Sequence, residues 1–498
     1  MAIETELKLR IAPEHLDRLK RHPLLKTLAT TRATTRKLHS IYYDTPELDL
    51  HQRAMALRLR RVGKQWLQTL KGGGEVQAGL HQRNEWEAPV AAEALDFEAL
   101  KASGARLPQG VRKKLQPVFV TDFSRTSRML TFEGAEIEFS LDTGEIRAGQ
   151  ATCPISELEL ELKSGEPLQL FRLALTLIGI VPLELEPASK AEYGYILYTA
   201  AKPAVRKASF PTLEKSRSIA SALQSMIVAC LQHVQANVPG AVHGLDEEYL
   251  HQVRVALRRL RVVLAMAETF RADAELTALH EQVAQLCTES GRSREWDVLV
   301  TQTLAPIYAH LPEHAGLKEV LRASEKMREH YHDQVQEKLQ SRDYQRLLLR
   351  FGAWMNSDYW REPDGEDLNL TRFAVQILHK RSKQVSKRGK NLAAADASQL
   401  HLLRISCKKL RYAAEMFASL FAAAKTKRYV AALSGLQDIM GMMNDIAIAR
   451  RLLDEMESQE RHETLALIHG WMGHDYMERV VELGKAWKKF SEQKAFWN

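Results

Sequence analysis

The sequence predicts an α+β multidomain protein, with an antiparallel sheet or closed barrel first and an all-α region after it. Three observations carry this reading. Residues 1–200 alternate apolar and polar side chains at period two, the signature of strands with two different faces. From Thr212 onward apolar residues recur at helical spacing almost to the end. The 498 residues exceed one ordinary core, so about two to four domains are expected.

Taken in order, strands are predicted over Ile3–Ile11, Lys37–Asp44, Ala54–Val62, Gln65–Leu70, Arg83–Pro89, Asp122–Phe132, Ala135–Leu141, Gly144–Ala148 and Ile155–Leu162. Helices fill Pro13–His22, Asp96–Ala102, Pro167–Ile178 and Ala188–Tyr198. The run GGGE at 72–75 reads as a flexible turn. Many strands with few helices favour an antiparallel sheet or a barrel. KPAVRKASFP then reads as a linker over 202–211. Polar breaks at 237–244, 311–315, 356–367 and 396–398 divide the remainder into long antiparallel helices. That region repeats itself: HQVRVALRRLR at 251 and HLLRISCKKLR at 401 match at an offset of 150 positions, and Gly291 with Gly441 and Glu295 with Asp445 keep the register. Two halves are expected, near 212–355 and 368–498, which sets the domains at 1–201 and 212–498.

Composition excludes several classes. Cys153, Cys230, Cys287 and Cys407 are far apart with no CxxC pair, which argues against a disulfide framework or zinc site and suits a reducing cytoplasm. The opening MAIETELKLR lacks the apolar stretch of a secretory leader, and no run approaches the length of a membrane helix. The net charge of +8 is uneven: residues 1–200 hold 27 Lys+Arg against 26 Asp+Glu, so the surplus lies in the helical region. An anionic partner is expected there. No Cys–His or Ser–His arrangement and no GxxxxGK[ST] loop is present, and His39, His51 and His81 lack metal-ligand spacing.

Two strands concentrate carboxylates. ETELK places Glu4, Glu6 and Lys8 on one face, and ELELELK does the same for Glu157, Glu159, Glu161 and Lys163. A strand with a solvated acidic face would read the same way. The company of LRLRR (Arg58, Arg60), Lys71, Arg83 and Arg125 changes the picture, because like charges on one strand are best tolerated between counter-charges or metal ions. Hard divalent cations take carboxylate and phosphate oxygens together, and Lys and Arg bind phosphate directly. One interior lined by both sets would suit a short polyphosphate.

In their order and combination over 200 residues, these pieces resemble the CYTH domain of the triphosphate tunnel metalloenzymes. The match comprises ExExK (Glu4, Glu6, Lys8), RxR (Arg58, Arg60), Lys71, Glu85 and Glu87, Arg125, ExExE (Glu157, Glu159, Glu161) and SKAEYGY with Lys190. The resemblance implies an eight-stranded antiparallel tunnel that binds triphosphates with Mg²⁺ or Mn²⁺. By carry-over, Glu4, Glu6, Glu157, Glu159 and Glu161 serve the metal, while Lys8, Arg58, Arg60, Lys71, Arg125 and Lys190 grip phosphates. Glu85 and Glu87 match a position that orients those cations or a second metal. Glu138 and Asp142 are further acidic candidates, with a structural ion pair the equal alternative for each.

At about 100° per residue, His251, Arg254, Arg258 and Arg261 share an arc of about 80° and a length of about 15 Å. Arg259 lies off it. One such helix reads equally well as a face paired with Glu295 and Asp297, but its copy (His401, Arg404, Lys408, Arg411) allows two cationic stripes to face one groove. The run HKRSKQVSKRGK at 379–390 adds further cations. Zinc-finger spacings, helix–turn–helix cues and stacking aromatics are missing, so a base-free phosphate chain suits the stripes better than nucleic acid. Residues 212–498 resemble a CHAD domain, a duplicated helical bundle associated with inorganic polyphosphate; Lys408, Lys409 and Glu295 depart from the residues common there. The resemblances together imply hydrolysis of inorganic triphosphate to diphosphate and phosphate, with polyphosphate held by the helical domain, in the cytoplasm or at polyphosphate granules. Thiamine triphosphatase, nucleoside triphosphatase, adenylate cyclase and a non-catalytic polyphosphate-binding role are the alternatives.

Overall fold

A computed structural model describes all residues except 1, 78, 362–368, 457, 459–460 and 498. The chain forms two compact units, Met1–Ala204 with Ser341–Tyr359, and Val205–Gln340 with Trp360–Asn498.

The first unit runs β1 (Ala2–Arg10), α1 (Pro13–Lys20), α2 (Pro23–Leu28), β2 (Thr34–Asp44), β3 (Met55–Val62), β4 (Gln65–Gln77), β5 (Leu80–Val90), α3 (Phe97–Ala102), β6 (Gln116–Phe132), β7 (Ala135–Ala148), β8 (Ala151–Ser164), α4 (Pro167–Leu177), β9 (Glu184–Leu185) and α5 (Lys190–Thr199). The sheet order β5-β4-β3-β2-β6-β7-β8-β1 is closed by pairing of β1 with β5, so the eight long strands make an antiparallel barrel; β9 adds two residues beside the end of β1. Closure leaves no free edge among these strands.

Alternation decides which face goes where. On β1 and β8, Leu7, Leu9, Leu158 and Leu160 are fully buried on the outside of the barrel. There they join Phe139, Phe171 and Leu173 in one apolar cluster beneath α1, α2 and α4. The charged residues at the intervening positions therefore turn inward. A second apolar group, Leu38, Tyr42, Phe119, Phe123, Ile146, Ile155 and Tyr195, packs together where α5 meets β6, β7 and β8.

Three local expectations differ from the structure. Ala135–Leu141 and Gly144–Ala148 form one strand, β7, because Gly144 continues the ladder where a Cβ would lie 2.1 Å from the Asp122 carbonyl oxygen. The 72–74 glycines form no turn; they make a bulge within β4, where the register to β5 shifts between Gly72 and Gly74 and Gly74 adopts a φ of +107°. The segment 341–355, expected in the first helical half, instead packs with the barrel unit as α11: Leu349 joins the outer barrel core, and Gln345 accepts from the Leu185 amide at 3.0 Å.

The second unit contains α6 (Ile219–Val242), α7 (Glu247–Phe270), α8 (Ala274–Val298), α9 (Ala305–His310) and α10 (Ala315–Gln340). After α11 (Arg342–Met355) of the other unit come α12 (Leu370–Gly389), α13 (Ala397–Met416), α14 (Ala423–Asp454) and α15 (His462–Ser491). The duplication is visible: α6–α7–α8–α10 corresponds to α12–α13–α14–α15. Asp246 and Asp396 cap the two basic helices at equivalent positions. The halves meet where α7 packs on α13 and α8 on α14. The expected linker is partly strapped to this unit, since the Arg206 backbone exchanges hydrogen bonds with Asn237 and Phe210 lies against Arg259. Half of the polar break at 356–367, residues 362–367, lies outside the described residues, as do the ends of the second half at 368 and 498. No helix among the described residues is long and apolar enough to cross a membrane.

Candidate functional site: a charged tunnel and a cationic groove

The barrel interior holds a cavity of about 70 Å³. Of the residues singled out from sequence, Glu4, Glu6, Lys8, Arg58, Arg60, Lys71, Arg125, Glu159 and Lys190 line it. Each sits there by strand parity, except Lys190, which enters at the first turn of α5 behind a Ser189–Glu192 capping box. Tyr42, Arg83 and Ser189 also line the cavity and were not singled out as site residues. Cross-strand pairing could have found Arg83, which stands opposite Glu4.

The lining charges are dense and mutually paired. Glu159 contacts Lys8 and Arg125 and lies 2.9 Å from Lys190. Asp142, with no exposed surface, binds Arg125 at 2.6 Å and Lys190 at 2.7 Å, and Lys190 also contacts Glu157. Lys71 bridges Glu4 and, at 3.5 Å, Glu85, which lies 3.5 Å from Arg58 as well. Glu85 thus orients two cations. Glu87 is exposed and accepts only from Thr69 at 3.4 Å among its described hydrogen bonds. Glu161 and Glu138 share Lys163, at 2.5 and 3.2 Å, which makes Glu138 an ion-paired residue.

Low-dielectric burial gives these pairs their character. Burial drives the Glu6 carboxyl upward, but Lys8 first and then Lys71 outweigh it and hold it well below the usual carboxylate range. Asp142 is likewise raised by burial and pulled well down by Lys190 and Arg125. Burial, then its neighbour Arg58, lowers Arg60 to about 10. His81 falls to about 3, through burial first and Lys8 next, and so stays neutral. Glu6 and Asp142 therefore remain ionised, while burial, against the opposing pull of Asp142, lowers Lys190 well below the usual lysine value.

Asp142, Glu157 and Glu159 offer oxygens within 4.8 Å of one another, all three side chains buried. This set contains only hard oxygen donors, as Mg²⁺ and Mn²⁺ require, and two more carboxylates, Glu4 and Glu6 on the neighbouring strand β1, line the same cavity. Asp142 belongs to this group more closely than Glu161, whose partner is Lys163.

In the helical unit, stripe residues of α7 and α13 are near enough to perturb one another: Arg258 acts on both Arg404 and Lys408. Arg254 donates to the Cys287 carbonyl at 3.3 Å and to Ser290 at 3.2 Å. Among the described residues no carboxylate comes within ion-pair distance of Arg254, Arg258, Arg261 or Lys408, while Arg404 reaches Asp445 only at 4.0 Å and Arg411 reaches Glu415 at 3.7 Å. The buried Nε atoms of Arg258, Arg261, Arg404 and Arg411 have no hydrogen-bond partner. Burial first, then Arg404 and Arg258, brings Lys408 down to about 6. His251 is half-buried, and His401 is exposed with Nδ1 3.0 Å from Asn444 Oδ1. Arg259, off the stripe, binds Glu415 at 2.7 Å between Phe210 and Tyr412. Asp297 does not neutralise the stripe either; it binds Arg328 and His332. Two cations of the 379–390 run, Arg381 and Arg388, donate to carbonyls of α13.

Residues 2–195 match the CYTH domain family, and residues 225–454 match the CHAD domain family. The crystal structure of the CHAD domain from the plant Ricinus communis is 30% identical, with 59% of this chain and 98% of that one covered at a TM-score of 0.53. The chain joins a CYTH domain to a CHAD domain. The tunnel is the CYTH portion, and the duplicated bundle is the CHAD portion. An inorganic triphosphatase of Haemophilus influenzae is 36% identical over 197 residues, 40% of this chain. The chain spans 55% of that relative's length.

Proposed function

We propose that the CYTH domain is a metal-dependent triphosphatase that converts inorganic triphosphate to diphosphate and phosphate, and that the CHAD domain binds inorganic polyphosphate. The observation that carries the enzymatic reading is the barrel interior, where basic side chains from β1, β3, β4, β6 and α5 converge on one cavity with Glu4, Glu6 and Glu159. Similarity to an inorganic triphosphatase supports it. Polyphosphate binding is supported by the scarcity of counter-charges along the stripe, where among the described residues only Arg404 and Arg411 reach a carboxylate, at 4.0 and 3.7 Å.

Lys8, Arg58, Arg60, Lys71, Arg125 and Lys190 take the phosphate oxygens, with the guanidinium groups binding in bidentate fashion. Glu4, Glu6, Glu157, Glu159 and Glu161, joined by Asp142, would hold Mg²⁺ or Mn²⁺. Bound there, the ion would neutralise phosphate charge and lower the pKa of water. As a phosphate chain enters, the ion-paired cations exchange a carboxylate for a phosphate oxygen, while Arg60, which donates to Ser40, has no carboxylate among the described residues to give up; the freed carboxylates would be the ones to hold the ion. Glu85 keeps Arg58 and Lys71 aimed inward during that exchange. The apolar group around Phe123 limits water on one side. The acceptor is water, so one P–O–P bridge breaks and one P–O bond forms. Its two protons pass to the products and solvent.

The test uses Glu4→Gln and Glu159→Gln. Loss of phosphate release from tripolyphosphate with polyphosphate retention intact supports the assignment; full activity in both variants overturns it.

A further inference from the structure

The two CHAD repeats differ where their basic helices begin. In the first repeat, Arg328 of α10 fills the space beside α7 and α8: it lies 2.8 Å from Asp297 and 3.4 Å from Glu247, and His332 meets Asp297 at 2.7 Å. At the offset of 150, both acids become alanine, Ala397 and Ala447. Ser290 and Ser293 become Met440 and Met443, so Arg404 has no counterpart of the Ser290 hydroxyl that receives Arg254. The result is a cavity of about 390 Å³ among α13, α14 and α15, within the range of small-molecule sites.

Its lining has two characters. Leu400, Ala447 and Ile448 form an accessible apolar wall, with the almost wholly buried side chains of Met440 and Met443 behind it. Arg404 and His401 stand on the other side, at the start of the cationic stripe. Between them lie the Asn444 amide, the Tyr476 phenol and the Glu295 carboxylate, the last held at 2.6 Å by Arg451. A bare phosphate chain uses none of the apolar wall. A molecule with a flat apolar body, hydrogen-bonding edges, sugar hydroxyls and a phosphate tail uses all of it.

We propose that this cavity is a nucleotide site, taking a nucleoside di- or triphosphate with its phosphates on Arg404 and His401 and its base against Leu400 and Ile448, close to the methyl groups of Met440 and Met443. Asn444 and Tyr476 meet the base edge, and Glu295 accepts from ribose hydroxyls. The phosphate end rests on the same reading of the stripe as polyphosphate binding, so a bound nucleotide competes with polyphosphate for Arg404. The first repeat, filled by Arg328 and His332, does not take one.

The test uses the full chain carrying ¹³C-methyl methionine, with the two signals identified through Met440→Leu and Met443→Leu. ADP should shift both methyls in a saturable way and bind about tenfold more tightly than diphosphate, since only ADP covers the apolar wall. Ala447→Asp, at an exposed position, restores the carboxylate of the first repeat and should weaken ADP at least as much. Ile448→Ser, at a half-buried lining position, should do the same, with retention on long polyphosphate unchanged. Unmoved methyl signals at millimolar ADP, or equal affinities for ADP and diphosphate, overturn the site. Failure of polyphosphate retention in the unaltered chain would instead count against the reading of the stripe, whatever ADP does.

Discussion

The tunnel and the CHAD groove are both rich in Lys and Arg, but they handle charge in opposite ways. Inside the barrel nearly every cation has a carboxylate: Lys190 touches three, Arg125 two, and Lys71 two. Along α7 and α13 most stripe cations have none, and their buried Nε atoms lack partners. Paired charges can change partners when a phosphate and a metal arrive together, which is what catalysis on a polyanion needs. Unpaired cations can only attract, which suits retention. On the proposed reading, the pairing of basic residues, more than their number, is what separates a reaction centre from a binding surface.

The largest effect should come from breaking the tunnel's densest node. Glu159→Gln should lower triphosphatase kcat by about 10²-fold or more, as loss of one preorganised charge does in an active site. Chelation of divalent ions should have an effect at least as large, reversed by Mg²⁺ or Mn²⁺, while polyphosphate retention by the CHAD domain persists. Next, Asp142→Asn leaves Arg125 and Lys190 short of a buried partner and should cost about 3 kcal/mol of stability, read from denaturant unfolding. No stripe substitution should cost as much, because among the described residues most of the stripe's cations have no carboxylate partner to lose.

On the groove side, Arg254→Glu with Arg404→Glu should abolish retention on a polyphosphate matrix and leave tripolyphosphate hydrolysis unchanged. Unchanged retention would remove the distinction between the two regions. A smaller effect concerns pH. Lys408 stands at about 6 in the folded chain, below its unfolded value, so folding sheds a proton between about pH 6 and about pH 10.4. The unfolded chain binds more protons over that window, and this group's contribution to stability falls as pH drops toward 6. A bound phosphate chain favours the charged amine, so polyphosphate affinity should rise from pH 8 to pH 6. Lys408→Met should flatten that slope and raise Tm more at pH 6 than at pH 9.

Much of this contrast was legible in the sequence. Period-two alternation placed Glu4, Glu6, Lys8 and Glu157, Glu159, Glu161 on common faces, and the offset of 150 revealed the paired basic helices. Less legible was anything set by strands distant in sequence. Asp142 reads as one acid among several until pairing of β6 with β7 puts it opposite Arg125. Arg83 becomes a lining residue only through its place opposite Glu4. α11 has a clear helical period, yet nothing in it says that Leu349 packs in the barrel's outer core instead of the bundle's. The break expected at 142–143 is bridged within β7, where the close approach of β6 that requires Gly144 is a tertiary fact. Arg259 showed its separate role early, lying off the stripe, but its partners Phe210 and Glu415 came from the fold.

The most direct test of the central claim is phosphate release from tripolyphosphate, ATP and thiamine triphosphate, measured side by side with Mg²⁺ and with Mn²⁺. The fastest turnover should be on tripolyphosphate, because the tunnel offers cations along the whole phosphate chain. No turnover of any of the three with either metal would contradict the account and leave the barrel a binding protein.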